Sequence, residues 1–289
     1  MATSPLADFD RAACAAAAQV IARYSTSFSL ATRLLSEPVR TDIRNLYAVV
    51  RIADEIVDTK DHSLPASAAA AALDAYEAAV RSAATVRFHT DPILHAFGLS
   101  ARRCGFRDEH LAAFFSSMRA DLTRSTHTAA SLEAYIYGSA EVIGLLCLDA
   151  FLSGQTSPHR AEMESGARRL GAAFQKINFL RDLAEDTDDL GRAYFPQLAD
   201  GPLTDAAKAD IVADIRCDLA AARATIGYLP RSSRAGVAAA TALFSDLTDR
   251  LDALPAADIY STRVSVPAAR KAALVAGSLK DSQPWLKIM

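Results

Sequence analysis

Residues 47–58 read YAVVRIADEIVD and residues 175–196 read QKINFLRDLAEDTDDLGRAYFP. Each carries the pattern D-x-x-x-D, at Asp54 and Asp58 in the first and at Asp182 and Asp186 in the second. Apolar residues recur around both at a helical period, so a spacing of four puts the carboxylates of each pair on one helix face, a turn apart. Like charges at that spacing repel and cost helix stability unless a cation lies between them. Two such helices face to face would make a cleft rimmed by hard oxygen donors. That donor set suits Mg2+, and carboxylate-held Mg2+ usually also holds phosphate oxygens. The two stretches predict chemistry on a diphosphate.

The flanking residues sharpen this. In the first stretch Leu46, Val49, Val50, Ile52, Ala53, Ile56 and Val57 are apolar, so the helix is heavily buried and Asp54 lies beside apolar surface. A charge there must be paired or bind metal. The alternative is a solvated acidic edge balanced by Arg51. In the second, Gln175, Asn178, Asp182 and Asp186 lie on one stripe, while Ile177, Phe179, Leu180 and Leu183 cover the buried sides. Neutral and anionic oxygens in line are expected around Mg2+ and its waters. Gly191-Arg192 just beyond could swing a guanidinium onto phosphate, or Arg192 could be a cation at a helix C-terminus. In YSTSFS, residues 24–29, the serines could cap a helix or touch phosphate. Tyr24, Phe28, Tyr47, Tyr135, Tyr137, Phe174 and Phe179 are core candidates that could also face a carbocation.

Beyond these stretches helical periodicity dominates and strand alternation is nearly absent. The pattern predicts helices over 7–23, 38–59, 66–83, 91–103, 107–123, 131–152, 160–188, 204–228, 232–252 and 267–280. Loops are expected at 60–70 and 198–206. With 51% hydrophobic residues and only 12 Gly and 11 Pro, the expectation is one all-α domain over residues 1–289, a bundle with a central cavity. A net charge of −3 gives no basis for a nucleic-acid partner. Cys14, Cys104, Cys147 and Cys217 have neither C-x-x-C nor zinc spacing and read as reduced thiols packed as small apolar residues. The uncharged run from Ala12 to Ala22 is too short to span a bilayer and no other stretch reads better, so the expected location is cytoplasmic. Trp285 reads as packing on the bundle.

Four stretches, YSTSFSLATRLL (24–35), LYAVVRIADEIVD (46–58), YIYGSAEVIG (135–144) and AAFQKINFLRDLAEDTDDLGRAYFP (172–196), resemble in order the signature blocks of the squalene/phytoene synthase family. The overall character is most like its actinobacterial phytoene synthases. The resemblance implies an all-α isoprenoid-synthase fold with an apolar tunnel leading from a Mg2+ cluster. It implies a prenyltransferase that joins two prenyl diphosphates head to head through a cyclopropylcarbinyl diphosphate, in carotenoid biosynthesis. Mg2+, with Mn2+ as a substitute, would be held by Asp54, Asp58, Asp182 and Asp186 with Asn178 alongside. Arg51, Arg192, Ser25 and Phe28 would meet substrate, and Tyr47, Tyr135, Gln175 and Tyr194 would lie near the reacting ends.

The leading expectation is a phytoene synthase using geranylgeranyl diphosphate. The alternatives are a squalene or dehydrosqualene synthase on farnesyl diphosphate, with NADPH in the reductive case, a terpene cyclase acting on one diphosphate, and a non-catalytic helical interaction protein of the same fold. A lipophilic product makes peripheral membrane contact a further expectation. Some positions depart from the family pattern. Tyr24 and Thr26 stand where many members have His and Lys, and Glu55 replaces a common Asp. Glu141 stands where Gly is usual, which predicts a narrower cavity near Tyr137, and the unusual Lys176 is expected to pair with Glu141.

Overall fold

An Ala-rich chain with few Gly and Pro favours helix, and helix is what forms. A computed structural model describes residues 5–58, 66–199 and 201–281. In the first half α1 (Pro5–Tyr24), α2 (Thr26–Thr32), α3 (Val39–Val57), α4 (Ala66–Thr85), α5 (Pro92–Cys104) and α6 (Asp108–Asp121) follow one another. Then come α7 (Ala129–Ile136), α8 (Val142–Leu152), α9 (Arg160–Arg181), α10 (Asp205–Thr225), α11 (Arg231–Asp252), α12 (Ala256–Ile259) and α13 (Ala268–Asp281). No strand occurs among the described residues, only an isolated bridge between Thr126 and Ala193. Most of the 60–70 loop and Trp285 lie outside the described residues.

The ends form where local chemistry directs. Asp91 caps α5 by accepting from the amides of Ile93 at 2.8 Å and Leu94 at 2.9 Å. Gly105 closes the same helix with φ 69°, a left-handed conformation that suits glycine. The sixth expected helix opens earlier than Ser131: Thr128 is the cap, and Ser131 bonds back to it in a reciprocal pair. That helix is also not continuous, because a π-helical turn at Tyr137–Glu141 separates α7 from α8. The expected helix 160–188 likewise stops at Arg181, with Asp182 leaving helical geometry and a π-helical turn following at Glu185–Asp189. Helix α2 was not expected as a helix of its own.

Two apolar clusters carry the bundle. One joins α9, α10 and α11 through Ile177, Leu180, Ile215, Phe244 and Leu251. The other joins α3, α5, α6 and α8 through Leu46, Val49, Phe97, Phe114, Phe115 and Leu146. Each of these large side chains contributes about 1.5–3 kcal/mol by leaving water. The α7–α8 stretch, Ala129–Leu152, is long and apolar enough by composition to cross a membrane, which corrects the expectation that no stretch reads better than Ala12–Ala22; 61% of its most apolar window is buried in the bundle. The four cysteines are free, and Cys217 is exposed rather than packed.

Helices α8 and α9 come close enough to touch backbone. A Cβ on Gly144 would lie 2.3 Å from the Ala167 carbonyl oxygen, and one on Gly171 would lie 2.4 Å from that of Ala140. These glycines let α9 lie close against α8, which sets the position of its oxygen-bearing stripe.

Candidate active site

A cavity of about 640 Å³ runs through the bundle. Asp54 lines it from α3 and Asp58 from the cap that ends that helix, and Asn178, Asp182 and Asp186 line it from α9 and the turn beyond. Ser25, Phe28, Tyr47, Arg51, Tyr135, Gln175, Arg192 and Tyr194 line it as well. These thirteen side chains, the expected metal and substrate contacts, therefore border one space. Away from the carboxylates the wall is apolar, with Leu35, Leu148, Met163, Ile226 and Leu229 among its residues.

The break at Asp182 alters the expected stripe. Asp182 sits at the end of α9 with its amide bonded to the Asn178 carbonyl at 2.8 Å, and the Asp186 amide bonds to the Asp182 carbonyl at 2.9 Å. The i to i+4 links persist although the α-helix does not. Burial, reinforced by Asp58, pushes the Asp54 carboxyl up to about 8 against the opposing pull of Arg51. Burial, then Asp182, pushes the Asp186 carboxyl up to about 8 in the same way, against Arg192. Burial is the largest cause in both, because a desolvated carboxylate favours its neutral form.

Protein cations meet the other two aspartates. Arg192 donates to Asp58 Oδ1 at 2.7 Å and to the Val57 carbonyl at 2.8 Å. The guanidinium of Arg192 is buried and ties the turn after the second motif to the end of the first. Asp182 accepts from Arg181 Nε at 2.8 Å and lies 3.4 Å from Arg263. Arg51 holds Glu55 at 2.9 Å and lies 4.6 Å from the centre of the Tyr24 ring.

No group of three His, Cys, Asp or Glu side chains among the described residues forms a ready-made metal site. The donors are instead two carboxylate pairs that line one cavity, with the Asn178 amide among them. Mg2+ keeps several waters and takes one or two carboxylates plus phosphate oxygens, so this donor set fits Mg2+ held jointly with a diphosphate.

Asp121, at the end of α6, escaped the sequence reading. Its carboxylate accepts from Tyr135 Oη at 2.6 Å and Tyr194 Oη at 3.2 Å, and it lines the cavity. Burial pushes it up to about 6, against the pull of Arg192 and of the Tyr135 hydroxyl. The lone acid in SSMRAD has no partner at helical spacing to mark it. Phe179 stacks on Tyr194 at 3.9 Å, so a carboxylate-anchored aromatic group stands beside the metal-type donors. Phe244, also missed, stacks on Phe174 at 3.9 Å and lies 5.3 Å from Phe28. Burial raises the Tyr47 hydroxyl to about 12.

Other expectations need correction. Ser25 does cap α2, accepting from the Phe28 amide at 3.2 Å, while still facing the cavity. Tyr137 is outside the cavity lining, with Arg168 lying 5.4 Å from its ring centre. Glu141 pairs with Arg168 at 2.6 Å and does not narrow the cavity. Lys176 does not meet Glu141; it bonds to Asp214 and, at 2.8 Å, to Asp218 on α10. The α9 register turns Glu141 and Lys176 towards different neighbours.

Residues 21–199, which include both aspartate motifs, match the family described as squalene/phytoene synthase. The chain belongs to the squalene/phytoene synthase family. Its similarity to a phytoene synthase of Mycobacterium tuberculosis is 28% identity over 275 residues, 89% of this chain and 87% of that protein. A 4,4'-diapophytoene synthase of Staphylococcus haemolyticus is 31% identical over 184 residues, 61% of this chain and 60% of that protein. The chloroplastic phytoene synthase 3 of Zea mays is 28% identical over 272 residues, 88% of this chain and 62% of that protein. The chain thus spans about 60% of the length of these last two relatives. The fold matches a crystal structure of a dehydrosqualene synthase with TM-score 0.76 and 20% identity, over 99% of this chain and all of that one. It matches a squalene synthase of Alicyclobacillus acidocaldarius with TM-score 0.68 and 18% identity, over 94% and 95%. These place the fold among isoprenoid-synthase helical bundles.

Proposed function

We propose that the protein is a Mg2+-dependent phytoene synthase. It would condense two geranylgeranyl diphosphates head to head through a cyclopropylcarbinyl diphosphate and release diphosphate, in carotenoid biosynthesis. The observation that carries this reading is the placement of both aspartate pairs on the wall of one cavity whose other end is apolar. The phytoene synthase relative matched over 89% of the chain supports it. We also propose that the protein works in the cytoplasm with peripheral contact to membrane, since its product would be a hydrocarbon.

Asp54, Asp58, Asp182 and Asp186, with Asn178, would hold Mg2+ against the diphosphate. Mg2+ when bound would neutralise the leaving diphosphate as its bond to carbon breaks. Arg51, Arg192 and Ser25 would orient phosphate oxygens. Phe28, Phe174, Phe244, Phe179 and Tyr194 line or flank the apolar space and would keep water from an allylic cation while turning ring faces towards it. Asp121 would fix the Tyr135 and Tyr194 hydroxyls and so the ring orientations. Gln175 and Tyr47 would stand beside the reacting ends.

A farnesyl-using dehydrosqualene synthase is the second reading, favoured by the 31% identity to the diapophytoene synthase. Incubation with Mg2+ and either geranylgeranyl or farnesyl diphosphate, followed by mass analysis of the extracted hydrocarbon, separates the two. A forty-carbon product supports the first reading and a thirty-carbon product made only from farnesyl diphosphate supports the second.

A further inference from the structure

His127 lies in the connection between α6 and α7 and is 8% exposed. The sequence reading did not mark it, and it does not border the cavity. Its ring meets two side chains that do. The imidazole stacks on Tyr194 with ring centres 5.7 Å apart and planes 20° apart, and its centre lies 5.2 Å from that of Tyr135. Phe179 stacks on the same Tyr194 at 3.9 Å and 12°. The two tyrosine rings lie 5.3 Å apart, and both hydroxyls donate to Asp121. Asp121 therefore fixes the hydroxyl ends, while His127 and Phe179 pack on the rings.

The main chain on either side of His127 is pinned without its ring. Before it, the Ser125 carbonyl accepts from the amide of Ala193, the residue next to Tyr194, at 2.7 Å. After it, Thr128 and Ser131 bond reciprocally at the start of α7. Ser131 Oγ also lies 3.3 Å from His127 Nδ1, which orients the imidazole. Burial lowers the imidazole from its usual range, a hydrogen bond at Ser131 opposes this, and Arg124 adds to it. The ring is thus neutral at about pH 7, and it packs on the tyrosines as a flat aromatic surface.

We propose that His127 is a positioning residue, whose ring holds Tyr194 and Tyr135 at the angle from which they face the reacting carbon chain. This rests on the functional reading above. His127 would act through the tyrosines and not on substrate itself. A misplacement of about 1 Å in such groups can cost about a hundredfold in rate, while binding through the diphosphate is left intact.

The test compares His127→Phe, which keeps a flat neutral ring, with His127→Leu, which keeps bulk without one. Both leave the Ser125–Ala193 and Thr128–Ser131 bonds in place. Steady-state rates with geranylgeranyl and with farnesyl diphosphate in saturating Mg2+ are measured, together with melting temperatures. His127→Leu should lower kcat by about tenfold or more, with KM within about twofold of wild type. His127→Phe should hold kcat within about threefold of wild type. Combined with Asp121→Asn, His127→Leu should lose less than the product of the two single losses, because both act on the same rings. His127→Met replaces His127→Leu should the latter melt below the assay temperature. Wild-type kcat in the folded leucine or methionine variant would overturn the proposal. So would a loss confined to KM, or equal kcat losses in His127→Leu and His127→Phe, or losses that multiply fully with Asp121→Asn. Absence of hydrocarbon from wild type with either diphosphate would instead remove the functional reading itself, and the proposal with it.

Discussion

Arg192 Nη1 lies 2.7 Å from Asp58 Oδ1, joining positions 134 residues apart. Its other terminal nitrogen caps the Val57 carbonyl at 2.8 Å, and its own amide bonds to the Asp186 carbonyl at 2.7 Å. One residue therefore connects the ends of both aspartate motifs, its buried guanidinium holding the first and its main-chain amide the second. Arg192→Met should destabilise the metal-free protein by about 3 kcal/mol, the scale of a broken buried pair. Saturating Mg2+ with a diphosphate analogue should recover part of that loss by supplying a cation to Asp58. Denaturant unfolding with and without Mg2+ checks this; equal losses in both conditions would count against it.

The Asp54 and Asp186 carboxyls stand at about 8 without metal. An unfolded aspartate titrates near 3.9 (roughly). Between those values the folded chain binds more protons than the unfolded one, so these groups' contribution to stability falls as pH rises from about 4 to about 8. Metal binding needs the ionised form, so the apparent Mg2+ affinity should rise through the same window and release protons. Calorimetric Mg2+ titrations in buffers of different ionisation enthalpy measure both. An affinity flat between pH 6 and pH 9 (roughly this window) would contradict the assignment.

Asp121→Asn should lower kcat by about tenfold or more while leaving Mg2+ affinity nearly unchanged, because the residue fixes two tyrosine hydroxyls rather than a metal-type donor. Tyr135→Phe should have an effect that is less than additive with it, since both remove the same 2.6 Å bond. Steady-state rates of the two single variants and the double variant decide.

Asp218 is 1% exposed and binds Arg169 at 2.7 Å and Lys176 at 2.8 Å between α9 and α10. Asp218→Leu should cost about 1–3 kcal/mol of stability, because Arg169 loses this hydrogen-bonded partner while Lys176 keeps only Asp214. It should leave the product unchanged. Glu141→Gly should also leave the product unchanged, since that side chain points to Arg168; an altered chain length in the product would sink that placement.

The sequence made the all-helical class and the shared cavity legible because both depend on local rules. Apolar periodicity marks α3 and α9, and carboxylates at a spacing of four mark their cavity faces. What it hid depends on packing across distance. Asp121 is one acid on α6 with no neighbour at helical spacing, and only the folding of α7 and the turn at Tyr194 brings two hydroxyls to it. The break at Asp182 was hidden because nothing in FLRDLAED punctuates a helix as Gly or Pro would. Lys176 and Glu141 were paired on charge alone, whereas the register of α9 against α8 and α10 gives each a closer partner.

The most direct test of the central claim is the organic-extractable product formed from geranylgeranyl diphosphate with Mg2+, by wild type and by Asp54→Ala and Asp182→Ala. The account predicts phytoene from wild type and its loss in both variants. A thirty-carbon product from farnesyl diphosphate alone, or phytoene formed undiminished by either variant, would contradict it.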